Sequence, residues 1–427
     1  MTNMKRYSEY KDSGVKWIGE IPSHWECKYL RSYLTMFSEK NHADKQLLSV
    51  TRDCGVIIRN KDSKEENHNF IPDDLSGYKL IHEGDFVINK MKSWQGSYAV
   101  SSYEGIVSPA YFTFKLNFPF KEFFSLAIRS KVYIPFFTQY SKGIRVDQWD
   151  LSPIALKSIP FFEPPLSEQQ AIVSYLDSKI SMIDKYIAAS EKKIVALDEL
   201  KQTIISDAVT HGINPNVKMK DSGIKWIGEV PEHWTIRTLS QLSRLHYISN
   251  KLIHYQNLLS LSYGRIINKD INKTDGLLPA SFDTYQIIEC GNIVLRLTDL
   301  QNDHKSLRVG ISNQKGIITS AYLALEPFKD VYPNYLYYLL HSFDIKKVFY
   351  GMGNGLRQNL NWAELRKLKC VIPPLSEQKS IVSYIDKKTS EIDHLKEAEQ
   401  AQIEKLKEYK QRLISDVVTG KVKVTND

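Results

Sequence analysis

Two segments of the chain carry apolar residues at alternating spacings of four and three. The first runs through Leu176, Ile180, Ile183, Ile187, Ser190, Ile194, Leu197, Lys201, Ile204 and Ala208. Eight of these ten positions are apolar and no glycine or proline intervenes before Gly212, so the spacing predicts one long helix with a coiled-coil seam. The second runs through Ile385, Thr389, Ile392, Lys396, Glu399, Ile403, Leu406, Lys410, Leu413 and Val417; only six of the ten are apolar, so this seam is more polar. Each segment follows Pro-Pro-Leu-Ser-Glu-Gln, where Ser167 and Ser376 are the expected N-caps. Gln170 completes a capping box in the first copy, and Lys379 takes its place in the second. Helices of about 45 residues reach about 68 Å, beyond the width of a domain of about 150 residues. The expected solution is antiparallel pairing of the two within one chain, rather than each packing on its own domain.

Elsewhere the pattern is shorter. Strand-like runs at 85–89, 106–116 and 311–325 are broken by Gly, Asn and Asp, and helical stretches are expected near 121–129 and 333–349. The repeat structure then organises these pieces. Residues 12–25, DSGVKWIGEIPSHW, return at 221–234 as DSGIKWIGEVPEHW, with eleven of 14 positions identical. Residues 164–177, PPLSEQQAIVSYLD, return at 373–386 as PPLSEQKSIVSYID, and ISDAVT at Ile205 returns as ISDVVT at Ile414; the offset is 209 residues throughout. Between these blocks, residues 26–163 and 235–372 share only traces, such as Gly84-Asp85-Phe86-Val87 against Gly291-Asn292-Ile293-Val294 and Gly143-Ile144-Arg145 against Gly355-Leu356-Arg357.

The expected fold is therefore α+β (mixed α/β): two globular domains separated by two long antiparallel coiled-coil helices, with a pseudo-two-fold internal repeat. The expected boundaries are 1–163 and 213–372 for the globular domains, 164–212 for a central helix and 373–427 for a C-terminal one. A constant frame around variable inserts points to a frame that sets geometry and inserts that choose ligands.

Composition narrows the function classes. The 427 residues suit two to four domains, and no apolar run reaches the ~20 residues of a membrane helix, so a cytoplasmic protein is expected. Cys27, Cys54, Cys290 and Cys370 are scattered without a Cys-x-x-Cys pair, which argues against a zinc site or a disulfide framework. A formal net charge of +8 suits a polyanionic partner, because lysine and arginine displace counterions condensed on nucleic acid.

Catalytic signatures are missing. There is no Walker A loop, no Asp/Asn-Pro-Pro-Tyr/Phe tetrapeptide and no His-Glu-x-x-His; Gly351-Met352-Gly353-Asn354-Gly355 precedes no helix of a βαβ unit. His24 and His233 stand beside Trp25 and Trp234 in the repeated block, where packing or a hydrogen bond is expected. No catalytic residue and no metal ligand is assigned.

Candidate DNA contacts lie in loops that mix cations, amides and aromatics. In the first insert they are Lys90, Lys92, Trp94 and Gln95, then Lys142, Arg145 and Gln148; in the second, Arg296, Gln301, Asn302 and Lys305, then Arg357, Gln358 and Asn359. Lysine and arginine neutralise phosphates, while Arg–guanine and Asn/Gln–adenine pairs read base edges. Arg145 and Arg357 are expected as phosphate clamps.

Lys16-Trp17-Ile18-Gly19-Glu20-Ile21-Pro22 with Trp25, the copy at 225–234, the Pro-Pro-Leu-Ser-Glu-Gln helix starts and the Gly-x-Arg upstream of each together strongly resemble the specificity (S) subunit of type I restriction–modification systems. The resemblance covers nearly the whole chain. It implies two target-recognition domains, each reading one half of a split, asymmetric target in double-stranded DNA, with the helices setting the gap. It also implies docking of two modification (methyltransferase) subunits, which carry S-adenosylmethionine and methylate adenine N6, and of restriction subunits with ATP- and Mg-dependent translocase and endonuclease activity. The chain itself would hold no cofactor. A solitary sequence-specific DNA-binding regulator, or a nuclease or methyltransferase with unrecognised motifs, are the other readings open to the sequence.

Overall fold

The structure, a computed structural model, describes residues 5–60, 71–143, 149–253, 255–270, 281–301, 307–352 and 359–425. The chain forms two compact units, Met1–Ser190 with Ala401–Asp427, and Glu191–Gln400. Two long helices, Leu166–His211 and Leu375–Val418, contribute a segment to each unit.

All twenty seam positions named from the 4-3 spacing are buried or half-buried, so the spacing marks the packed stripe correctly in both helices. Within the second unit Lys193 pairs with Glu399 and Lys201 with Asp393 at 2.7 Å, and Lys396 pairs with Asp198. Partners fall in number on one helix as they rise on the other, so the segments run antiparallel. In the first unit Asp184 pairs with Lys410 at 2.7 Å, and Ile183 shares a core with Leu413 and Val417. The pairs Lys201–Asp393 and Lys410–Asp184 are the same pair twice under the 209-residue repeat. The charged residues of the second seam, Lys396, Glu399 and Lys410, are therefore engaged across the helix interface, while the Thr389 hydroxyl donates to Asp386 O of its own helix; partly exposed ion pairs contribute little stability but do specify register.

Both helices begin two residues earlier than the serine caps imply. The Pro165 carbonyl accepts the first helical bond, from Gln169 N at 3.0 Å, and Pro374 plays the same part for Gln378, so Ser167 and Ser376 lie in the first turn. The buried Gln169 and Gln378 side chains donate to the carbonyls of Pro164 (2.8 Å) and Pro373 (3.0 Å). Gln170 and Lys379 are both exposed, so the substitution between them touches no cap.

The repeated Trp block seats each helix. In the first unit Tyr10–Asp12 pairs with Glu20–Pro22, and in the second Met219–Asp221 pairs with Glu229–Pro231. Trp25 and Trp234, both fully buried, follow these ribbons. Trp25 Nε1 donates to Glu168 at 2.9 Å and Trp234 Nε1 to Glu377 at 3.1 Å, in the first turn of each helix, where the dipole favours a carboxylate. The helix ends come back to the same blocks: Gly420 (φ +71°) sits on Pro22 and Trp25, and Gly212 (φ +78°) on Trp234 and Pro231. A left-handed residue after the last turn is the usual glycine stop. A Cβ on Gly420 would overlap the Pro22 ring and lie 3.2 Å from Trp25, whereas one on Gly14 (φ +73°) meets nothing within 4 Å. Gly420→Ala is expected to cost about 1–3 kcal/mol by strain and overlap, and Gly14→Ala only about 1 kcal/mol by strain. Equal urea midpoints for the two variants would refute this account of the helix end.

The variable inserts leave and re-enter the frame side by side. Glu26–Tyr29 pairs antiparallel with Pro160–Glu163, and Thr235–Thr238 with Lys369–Ile372. Each insert is thus closed at its base by a two-stranded ribbon between the tryptophan and the helix start. Inside, a four-stranded antiparallel sheet recurs, in the order Leu34–Phe37, Phe112–Leu116, Phe86–Ile88, Tyr98–Val100 in one unit and Ser243–His246, Leu323–Pro327, Ile293–Leu295, Val309–Ile311 in the other. The helices Lys121–Ile128 and Pro333–Ile345 pack against these sheets and bury Phe123, Phe124, Tyr335 and Leu336. No helix among the described residues is long and apolar enough to cross a membrane.

Candidate nucleic-acid interface

In each unit three parts meet: the tip of a β-hairpin, the loop after the Phe86–Ile88 or Ile293–Leu295 strand, and the segment before a short helix near the end of the insert. The first unit's hairpin is Leu48–Thr51 with Gly55–Ile58, the second's Leu259–Ser262 with Arg265–Asn268. The short helices are Pro153–Lys157 and Trp362–Leu365.

In the first unit the two sequence-distant clusters come together. Leu151 N donates to the Lys90 carbonyl at 3.3 Å, and Lys90 Nζ pairs with Asp150 at 2.8 Å. The Trp94 and Trp149 rings pack with centroids 5.3 Å apart, and Ser93 and Ser141 hydroxyls lie 3.4 Å apart. Lys142, in a two-residue strand, is the register partner of Asp150. Lys92 and Lys142 are exposed, whereas Lys90, Trp94 and Gln95 are half-buried. Lys90 is therefore partly engaged within the protein and Trp94 packs as a brace, leaving Lys92 and Lys142 as the outward cations of this group. Arg145 and Gln148 lie outside the described residues.

The second unit repeats the junction. Leu360 N donates to the Leu297 carbonyl at 3.0 Å, the counterpart of Leu151 and Lys90. Asn359 Oδ1 accepts from Asp299 N at 2.8 Å, so its amide shapes the loop while the residue remains exposed. Arg296 is half-buried and Gln301 exposed. Asn361 caps the short helix by accepting from Glu364 N at 3.2 Å. Asn302, Lys305, Arg357 and Gln358 lie outside the described residues.

The hairpin tips are the part sequence reasoning passed over. Arg52, with its side chain 65 % exposed, has its Cγ beside Gly96 of the Trp94 turn. Tyr263 (φ +46°), 78 % exposed, and Gly264 form the equivalent tip, which lies against Leu307. The available signal is Asp53-Cys54-Gly55 or Tyr263-Gly264 between two β-rich runs, a tight-turn pattern. Two further arginines underlie the loops. Arg129 donates to the carbonyls of Tyr98, Arg52 and Asp53 at 2.9–3.0 Å, and burial pushes its pKa below the usual arginine value. Arg308, fully buried, donates to the carbonyls of Arg296, Thr298 and Asp299 at 2.8–3.3 Å.

Exposed cations, amides and an aromatic tip on fixed loops can neutralise phosphates and approach base edges. Away from these loops, a cleft of about 470 Å³ is lined by Glu83, Lys121, Glu122 and Asp177 among others, an acidic balance that does not suit a phosphate. His24 and His233 lie 2.6 and 2.8 Å from the carboxylates of Glu168 and Glu377, as structural hydrogen bonds of the frame. No group of three or more His, Cys, Asp or Glu able to hold a metal occurs among the described residues.

Comparison with known proteins gives a consistent set. Residues 293–405 match the family model described as type I restriction modification DNA specificity domain. The chain is 25 % identical to a putative type I restriction enzyme MjaX specificity subunit of Methanocaldococcus jannaschii, over 97 % of this chain and 98 % of that one. It is 24 % identical to the type I restriction enzyme MjaVIII specificity subunit of the same organism, over 81 % of each. Among solved structures it is similar in fold to a chain from work on complex assembly and conformational transition of the type I restriction–modification system (TM-score 0.66, 16 % identity, 94 % of this chain and 99 % of that one). It is also similar to the HsdS subunit from Thermoanaerobacter tengcongensis (TM-score 0.53, 16 % identity, 94 % and 98 %).

Proposed function

We propose that the chain is a specificity subunit of a type I restriction–modification system, a DNA-recognition component, and that each of its two inserts reads one half of a bipartite, asymmetric DNA target. The observation that carries this reading is the ribbon at the base of each insert. Because an insert enters and leaves through adjacent strands, its loops can change without disturbing the tryptophan seat or the helices. The clustering of Lys92, Lys142 and Arg52 in one unit, and of Arg296, Gln301 and the Tyr263 tip in the other, supports a reading face on each. In this reading the long helices, each of which contributes a segment to both units, set the unread gap between half-sites.

Catalysis belongs to partners in this reading. Two modification subunits bring S-adenosylmethionine and methylate adenine N6, and restriction subunits bring ATP- and Mg-dependent cleavage; this chain holds no cofactor and acts in the cytoplasm. The deciding experiment replaces residues 26–163 with the corresponding insert of another specificity subunit and sequences the methylome of a host carrying the hybrid. One half of the methylated motif changes while the other half and the gap persist. A motif altered in both halves, or in neither, defeats the two-reader model.

A further inference from the structure

Two arginines in the inserts direct their guanidinium donors at main-chain carbonyls of the reading loops. Arg308 is 0 % exposed. Its Nη1 donates to Arg296 O (3.1 Å) and Thr298 O (2.8 Å), its Nη2 to Asp299 O (3.3 Å) and its Nε to the Tyr350 hydroxyl (3.1 Å). Its own backbone closes the frame, since Arg296 N donates to Arg308 O at 2.9 Å and Arg308 N donates to Asp344 Oδ2 at 2.5 Å. The loop so held contains Asp299 at φ +57°, left-handed backbone that a residue with a side chain keeps only when its surroundings hold it.

Arg129 does the same for the first unit from a different place in the chain. Its Nη2 donates to Arg52 O (3.0 Å) and Asp53 O (2.9 Å) at the hairpin tip, and its Nη1 to Tyr98 O (2.9 Å) in the sheet. Gly55 (φ +73°) makes room, because a Cβ there would lie 3.3 Å from Arg129 Nη1. The counterpart of Arg308 in the first unit is Ser97, whose carbonyl accepts from Asn89 N at 3.0 Å. The two braces are therefore not copies inherited from the duplication; each belongs to its own insert.

Burying a guanidinium is costly unless its donors are satisfied, and here they are satisfied by the backbone of the loops facing the candidate DNA contacts. We propose that Arg129 and Arg308 are positioning residues for DNA recognition, each fixing the loop of its own unit so that base preference in one half-site depends on it without contact. The inference rests on the two-reader reading above. A planar fork spans several carbonyls at fixed angles, which a lysine ammonium does not do, so charge-preserving replacement is informative.

The test uses the full chain purified from its host with the subunits that accompany it, and selects bound fragments from a randomised duplex library. For Arg308→Lys, discrimination in one half-site falls on the order of tenfold while the other half is unchanged. Arg129→Lys gives the complementary result. Tyr350→Phe, which removes the hydroxyl that accepts from Arg308 Nε and, at 3.4 Å, from Lys347 Nζ while leaving the guanidinium on the loop carbonyls, gives a smaller relaxation in the same half as Arg308→Lys and serves if the arginine variant folds poorly. A uniform fall in affinity with both preferences intact would mean a merely structural role and overturn the proposal. Unchanged selectivity would overturn it too. If the unaltered protein selects no two-part sequence, the two-reader reading itself fails, an outcome visible before any variant is made.

Discussion

Trp25→Ala is expected to lower the stability of the first unit by about 3–5 kcal/mol, the range for removing a fully buried large aromatic. The indole is 0 % exposed, and its Nε1 is one of three groups gathered on the Glu168 carboxylate, with His24 Nε2 at 2.6 Å and the Tyr7 hydroxyl at 3.1 Å. Alanine leaves a cavity where Gly420 and the Pro22 turn rest, and it deprives a half-buried carboxylate of a donor. The seat shared by one helix start and the other helix end is lost together with the packing. Trp25→Phe, which restores most of the volume but not the N–H, should fall between alanine and wild type. The repeat supplies an internal duplicate, since Trp234→Ala removes the same anchor on Glu377. Urea unfolding of the full chain measures the effect, with hydrogen exchange assigning each variant to its unit. A loss below about 1 kcal/mol for Trp25→Ala would show that the tryptophan block is not the anchor.

Acid should selectively weaken the second unit through His341. This side chain, on the Pro333–Ile345 helix, is buried, and its Nδ1 has no hydrogen-bond partner among the described residues. Burial first, and the charge of Lys201 second, push its pKa down from 6.5 to about 4. The charged form is thus disfavoured in the folded state, and between those values the unfolded chain binds more protons. The contribution is fully present above about pH 6.5, fades as pH falls, and is lost at about pH 4. At roughly 1.4 kcal/mol per pKa unit the effect reaches about 3 kcal/mol. His341→Gln should therefore flatten the stability profile between pH 6.5 and 4.5 relative to wild type, which still carries the ordinary acid loss from its carboxylates. Parallel profiles would exclude His341 as the titrating group.

Much of the scaffold is legible in the residue pattern. Period and repeat are local properties: the 4-3 spacing marks the buried stripe at all twenty named positions, and the 209-residue offset pairs each tryptophan block with a helix start. Side-chain spacing on a helix follows from backbone geometry alone, so no knowledge of the partner is needed to read it. The helix starts are less well read, because the serine in Pro-Pro-Leu-Ser fits a capping pattern while the first helical bond already runs to the proline carbonyl two residues before it. The seam lysines read as weak points for a similar reason. Lys201 and Lys410 break an apolar row, and their meaning depends on Asp393 and Asp184, each nearly 200 residues or more away.

The reading loops divide along the same line. Composition singles out Lys92, Trp94, Lys142, Arg296 and Asn359, because cations, amides and aromatics in glycine-rich loops announce themselves locally. That Trp94 lies against Trp149, that Asn359 is turned onto Asp299, and that Arg52 and Tyr263 join the same groups were decided by the fold. Arg129 and Arg308 make the limit plain. In the sequence each is one arginine at the edge of an apolar run; in the structure each binds the carbonyls of a loop. Order along the chain determined the duplicated frame, its helices and the family it resembles, since these rest on period and identity. Which side chains face outward and which hold the backbone depended on contacts between distant segments, where burial and hydrogen-bond geometry settle what an identical residue does.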